Sequence, residues 1–167
     1  ALDYACANDF VTQGSSVSSD AAGAAVMLMG RNEGGKTLSR MAVNAVLDDV
    51  GNYFDPSHAR GGYPCEKAVP SVQRVAIMAI ADANKKIMLQ HDRLLDKLLG
   101  IVIAGLVLDD DNPRRGQDGA DALQEVCAGV LHELALYGPG AAALRAHKPT
   151  MDALRVLAES GTKESRE

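Results

Sequence analysis

Tryptophan is absent, and the other aromatics are scarce, with two Phe and four Tyr in 167 residues. Aromatic and β-branched side chains favour sheets, so an all-β sandwich or barrel is set aside at the outset. Cysteines are few as well. Cys6, Cys65 and Cys127 are odd in number and widely spaced, which argues against a disulfide scaffold and for a reducing compartment, so an intracellular, cytoplasmic setting is expected. No pair of them has metal-ligand spacing. Long apolar runs are missing too. The longest, residues 98–108, has eleven residues, where a bilayer needs roughly 18; no membrane span is expected. There is no excess of positive charge. The net charge is −5 and the pI about 5.3, so no global basic field exists to hold nucleic acid. No charged segment precedes an apolar run near the start, so no signal peptide is expected. The chain opens on Ala1 rather than Met, which points to a processed or cut start.

What is present leans to helix. The chain holds 26 Ala and 18 Leu, small and unbranched residues that lose little freedom in a helix. The clearest segment is residues 120–136, ADALQEVCAGVLHELAL. Leu123, Val126, Cys127, Val130, Leu131 and Leu134 fall on one face of an amphipathic helix. Asp118 or Gly119 is placed to cap its start, and Gly138-Pro139 to stop it. The same spacing predicts helices over 70–83 (Val72, Val75, Ala76, Ala79, Ile80, Ala83) and 20–29 (Ala22, Ala25, Val26, Met29). Shorter helices are expected at 35–40, 85–90 and 140–146. Each is followed by a longer one, at 42–53, 93–108 and 148–159, with Pro149 allowed in a first turn. Polar loops at 55–62 and 109–119 separate the groups.

One unit therefore recurs: a long helix, a tight junction, a short helix and a longer helix. The junctions begin at Asn32, Asn84 and Tyr137, spacings of 52 and 53 residues. A unit that cannot close its own core stacks on its neighbours. In this order of short, longer and long amphipathic helices, the chain resembles an armadillo or armadillo-like repeat protein across nearly its whole length. The resemblance is carried best by residues 125–159, EVCAGVLHELALYGPGAAALRAHKPTMDALRVLAE, and by residues 69–99. It implies an all-α fold, a right-handed α-solenoid of about three repeats. The chain would form one region, 1–167, with a partial repeat 1–31, repeats 32–83 and 84–136, and a partial repeat 137–167. The ends read as a second helix lacking its first (1–10) and a third helix cut short (162–167), as in part of a longer solenoid.

Motifs for chemistry are thin. Gly30-Arg31-Asn32-Glu33-Gly34-Gly35-Lys36-Thr37 fits the phosphate-loop pattern G-x-x-x-x-G-K-[ST], in which backbone N–H groups and Lys hold phosphate and the hydroxyl holds magnesium. A nucleotide-binding protein using Gly30, Gly35, Lys36, Thr37 and Asp109 is therefore one alternative. Such a fold needs a parallel sheet, whereas only two segments here read as strands. The pattern also arises by chance in roughly one chain in two hundred of this length. The histidines, His58, His91, His132 and His147, form no metal pair at helical spacing; His91 and His147 read as surface residues ahead of a helix. Asp109-Asp110-Asp111 lacks the spacing of a calcium loop. Cys127 reads as a small buried hydrophobe. No catalytic residue, cofactor or metal is expected.

The armadillo resemblance implies a groove lined by the third helices, with a ladder of Asn and Trp that holds peptide backbones. The matching Asn positions carry Met27, Ala79 and His132 or Glu133; the Trp positions carry Gly23, Val75 and Ala128 or Gly129. The ladder is absent. Ser71, Glu125 and Glu133 remain on that surface, with His132 beside them, as candidate partner-binding residues. Glu125 and Glu133 lie about two turns apart on one helix, an acidic spot for a protein or peptide with a basic segment. The expected function is a non-enzymatic interaction or assembly scaffold. A structural helical subunit of a larger assembly is the further alternative.

Overall fold

The computed structural model describes Val26, residues 37–54, 65–91, Leu94, 117–161 and Lys163. Among these residues the fold is all-α, with no strand. Six helices follow in chain order: α1 (Arg40–Phe54), α2 (Cys65–Met78), α3 (Asp82–Met88), α4 (Ala120–Leu136), α5 (Gly138–Ala146) and α6 (Lys148–Ser160).

The α4 bounds match the amphipathic segment read from the sequence. Its start is set by Gly119, which caps it in the left-handed region with φ 83° and no side-chain bond. A side chain there would be strained, and its Cβ would also strike the backbone of Glu66. The neighbouring Asp118 acts through its carbonyl, which accepts the Glu66 N–H at 3.1 Å. The start of α4 is thereby fastened to the start of α2.

The other helices shift from expectation for local reasons. Helix α2 begins at Cys65, five residues before Pro70, and carries that proline inside it on the exposed side. Burial of Cys65 and Ala68 on the face shared with Val72, Val75 and Met78 outweighs the hydrogen bond lost at proline. It also ends at Met78, so Asp82 and Ala83 belong to α3. Instead of a short helix through residue 40, residues 37–39 are non-helical and α1 is continuous. The Ser39 hydroxyl accepts the Ala42 N–H at 3.2 Å and its carbonyl the Val43 N–H, an N-cap pattern. Helix α4 stops at Leu136; Tyr137 is extended, and Gly138-Pro139 open α5 rather than merely ending α4. Pro149 sits in the first turn of α6 as read. Of the segments at 20–29 and 93–108, only the buried, helical Val26 and Leu94 are described. The segments 1–10 and 55–62 lie outside the described residues.

The helices pack both on their chain neighbours and across the units. Helix α2 lies against α4 and α3 against α5, while α1 packs on α2 and α3, and α6 on α5. The Glu66–Asp118 bond joins the N-terminal ends of α2 and α4, and a Lys85–Glu133 ion pair joins α3, which follows the C-terminal end of α2, to the last turn of α4. The two long helices therefore run side by side in the same direction. One apolar cluster joins all six helices, from Val43, Val46 and Leu47 through Met78 and Met88 to Leu123, Leu134, Leu144 and Leu157. Each fully buried Leu or Met contributes about 1.5–3 kcal/mol.

Burial along α2 and the residue that follows it repeats on α4 at a fixed offset. Ala68 and Ala120, Ser71 and Leu123, Val72 and Gln124, Val75 and Cys127, Met78 and Val130, and Ala79 and Leu131 are all buried, each pair 52 residues apart.

Candidate functional site

The side chains expected on one surface divide between core and solvent. Ser71 is placed differently from its reading as a groove residue. It is 3% exposed, and its hydroxyl donates to Asp49 Oδ2 of α1 at 2.9 Å. A buried hydroxyl is tolerated where it finds an acceptor, so Ser71 joins the core face of α2 between Ala68 and Val75. Val75 and Ala79, assigned to the same groove ladder, are fully buried as well. The 52-residue offset explains the shift, because Ala79 corresponds to buried Leu131 rather than to His132 or Glu133.

On α4 the candidates do reach solvent. Glu125 and His132 are exposed, in line with exposed Gly129. Glu133 is half-buried and faces Lys85 Nζ at 3.4 Å. That lysine side chain is only 4% exposed and also donates to Asp82 Oδ1 at 3.0 Å. The acidic spot thus contains an internal cation that compensates one of its two carboxylates, leaving Glu125 as the more outward charge.

Sequence reading passed over the polar side chains that tie α1 to the helices after it. Asn84 is fully buried. Its Oδ1 accepts the Leu38 N–H at 2.8 Å, and its Nδ2 donates to the Met78 carbonyl at 3.1 Å. Asp49 also faces Arg74 Nη1 at 3.6 Å, too long for a hydrogen bond, and the buried Arg74 Nε has no hydrogen-bond partner. Asp48 meets His91 Nε2 at 3.0 Å. His91 is therefore not the surface residue expected, with a side chain 7% exposed. His147 is half-buried against the buried Thr150, its Nδ1 lying 2.7 Å from Oγ1. The Asp82–Lys85 and His147–Thr150 pairs are three residues apart and carry a local signal; the contacts of Asp48, Asp49 and Leu38 join residues 20 or more positions apart.

Of the phosphate-loop motif, Thr37 alone is described; Gly30, Gly35, Lys36 and Asp109 lie outside the described residues. Thr37 is exposed and non-helical, three residues before α1 begins. The N–H that follows it, on Leu38, is committed to Asn84. Cys127 is buried on α4 as read, and Cys65 is buried too, with its thiol donating to Gln117 Oε1 at 3.5 Å. No group of three potential metal ligands occurs among the described residues.

The chain matches no family model, no curated protein and no solved structure. The armadillo resemblance rests on helix order alone.

Among the described residues no helix is long and apolar enough to cross a membrane.

Proposed function

We propose that the chain is a non-enzymatic interaction scaffold built as an armadillo-like α-solenoid, part of an intracellular assembly. The observation that carries this reading is the 52-residue periodicity of burial, joined to the packing of α2 on α4 in the same direction and of α3 on α5. Helices at equivalent positions in successive units pack on one another in stacked repeats. Such a stack offers a broad side surface and needs no pocket to bind a partner.

On this reading α4 presents Glu125 and His132 to a protein or peptide with a basic segment, with Glu133 steadied by Lys85 at the edge. The phosphate-loop alternative draws no support from the absence of strands among the described residues or from the commitment of the Leu38 amide. The test is fluorescence anisotropy with a labelled arginine- and lysine-rich 12-residue peptide. Binding is expected in low salt, with Glu125→Lys weakening it roughly tenfold through charge repulsion. Equal binding by wild type and Glu125→Lys would reject this surface. A parallel titration with magnesium-ATP, lost on Lys36→Ala, would replace the scaffold reading with the nucleotide one.

A further inference from the structure

Helix α6 packs on α5 through the face that buries Thr150, Ala153 and Leu157. Its opposite face is exposed and reads Lys148, Asp152, Arg155, Glu159. At 100° per residue these four lie within about 60° of arc and span about 16 Å along the axis. Their signs alternate, plus, minus, plus, minus.

Within a single helix this order is a poor one. Lysine occupies the first turn and glutamate the last, each at the end where the helix dipole disfavours its charge; no acid stands in the first turn and no base in the last. Both four-residue pairs, Lys148–Asp152 and Arg155–Glu159, also run with the cation on the N-terminal side, the weaker orientation. Asp152 and Arg155 do form an ion pair within the helix, but the outer charges gain nothing comparable from it.

Turned end for end, the pattern becomes its own complement. About a two-fold axis between Ala153 and Leu154, Lys148 faces Glu159 of another copy, Asp152 faces Arg155, and both pairs recur by symmetry. The same arrangement places a carboxylate beside each helix N-terminus and a cation beside each C-terminus, which reverses the dipole penalty.

We propose that the exposed face of α6 is a self-association surface, pairing antiparallel with α6 of a second copy of this chain. The pairing is salt-sensitive, because all four side chains are solvent-exposed and screened within a Debye length. It is independent of the partner surface on α4.

The test is sedimentation velocity on the whole chain at about 100 μM. Dimer is expected at 20 mM salt, with association weakened roughly tenfold or more at 0.5 M. One variant, Lys148→Glu with Arg155→Glu, makes the stripe wholly acidic; another, Asp152→Lys with Glu159→Lys, makes it wholly basic. Each alone should be monomeric, and an equimolar mixture should dimerise. Both variants remain net negative, since the chain starts at −5, so general charge attraction does not drive the mixture together. Circular dichroism on each variant verifies that the helices persist, and recovery in the mixture requires folded α6 in both. A wild type that is monomeric at 20 mM salt, or a mixture that stays monomeric, overturns the proposal and leaves the stripe a solvated helix surface.

Discussion

Asn84 and Gly140 occupy the same place in two successive junctions and solve it by opposite means. They are 56 residues apart, as are Met78 and Leu134, the residues whose carbonyls they meet, and as are the buried anchors Met88 and Leu144. In the first junction a buried amide reaches the Met78 carbonyl and, with its other end, the Leu38 N–H. In the second, the backbone of α5 comes so close to the Leu134 carbonyl that a Cβ on Gly140 would collide with it. The polar junction leaves a gap and bridges it with a side chain that has two partners. The glycine junction leaves no gap. The offset here exceeds the 52 of the long helices by four residues, about one turn, in keeping with the greater length of α4. A short helix can thus be held on a long one either by hydrogen bonding at a distance or by close packing, and the residue that suits one junction fails in the other.

The largest expected effect breaks the close junction. Gly140→Val should destabilise the chain by about 3 kcal/mol, since the colliding atom is backbone and α5 must lift from α4. Urea denaturation monitored at 222 nm measures it; a loss below about 1 kcal/mol would mean that the approach is loose.

Next comes the polar junction. Asn84→Ala should cost about 2 kcal/mol, because it strands the Leu38 N–H and the Met78 carbonyl without the amide that serves both. Gly in place of Asn84 should do no better, whereas the cost would vanish if the junction needed only a small residue.

The smallest effect sharpens the contrast between neighbours. Lys85→Met should stay within about 1 kcal/mol of wild type, since a buried ion pair is often replaceable by an apolar residue of similar volume. Its carboxylate partners, Asp82 and Glu133, are 71% and 33% exposed and keep their water. A chemical-denaturation midpoint well below that of wild type would show the Lys85 pairs to be as necessary as the Asn84 amide.

This contrast also marks how far the sequence could be read. The amphipathic period of α4 carried its own bounds, because Leu123, Cys127, Val130 and Leu134 repeat strongly and the flanking residues are polar. Proline misplaced the start of α2, since a helix with a strong buried face absorbs a proline on its exposed side. The groove that the armadillo resemblance implies takes in Ser71, whereas its hydroxyl lies buried against Asp49. Glu125 and His132 kept their places at the surface because the pattern within α4 sufficed for them. Asn84, Asp48 and His91 acquire their roles from partners 43 to 46 positions away, Leu38 for the first and each other for the last two. No local period encodes such a pairing.

The bond from the Leu38 amide to Asn84 turns one proton into a reporter. Leu38 precedes α1 and is in no helix, so its amide would ordinarily exchange with solvent as readily as any loop N–H. Held instead by a fully buried side chain 46 residues further on, it exchanges only when α3 separates from the lead-in to α1. Deuterium uptake at this single position therefore measures how often the first junction opens, without a label or a probe added to the chain.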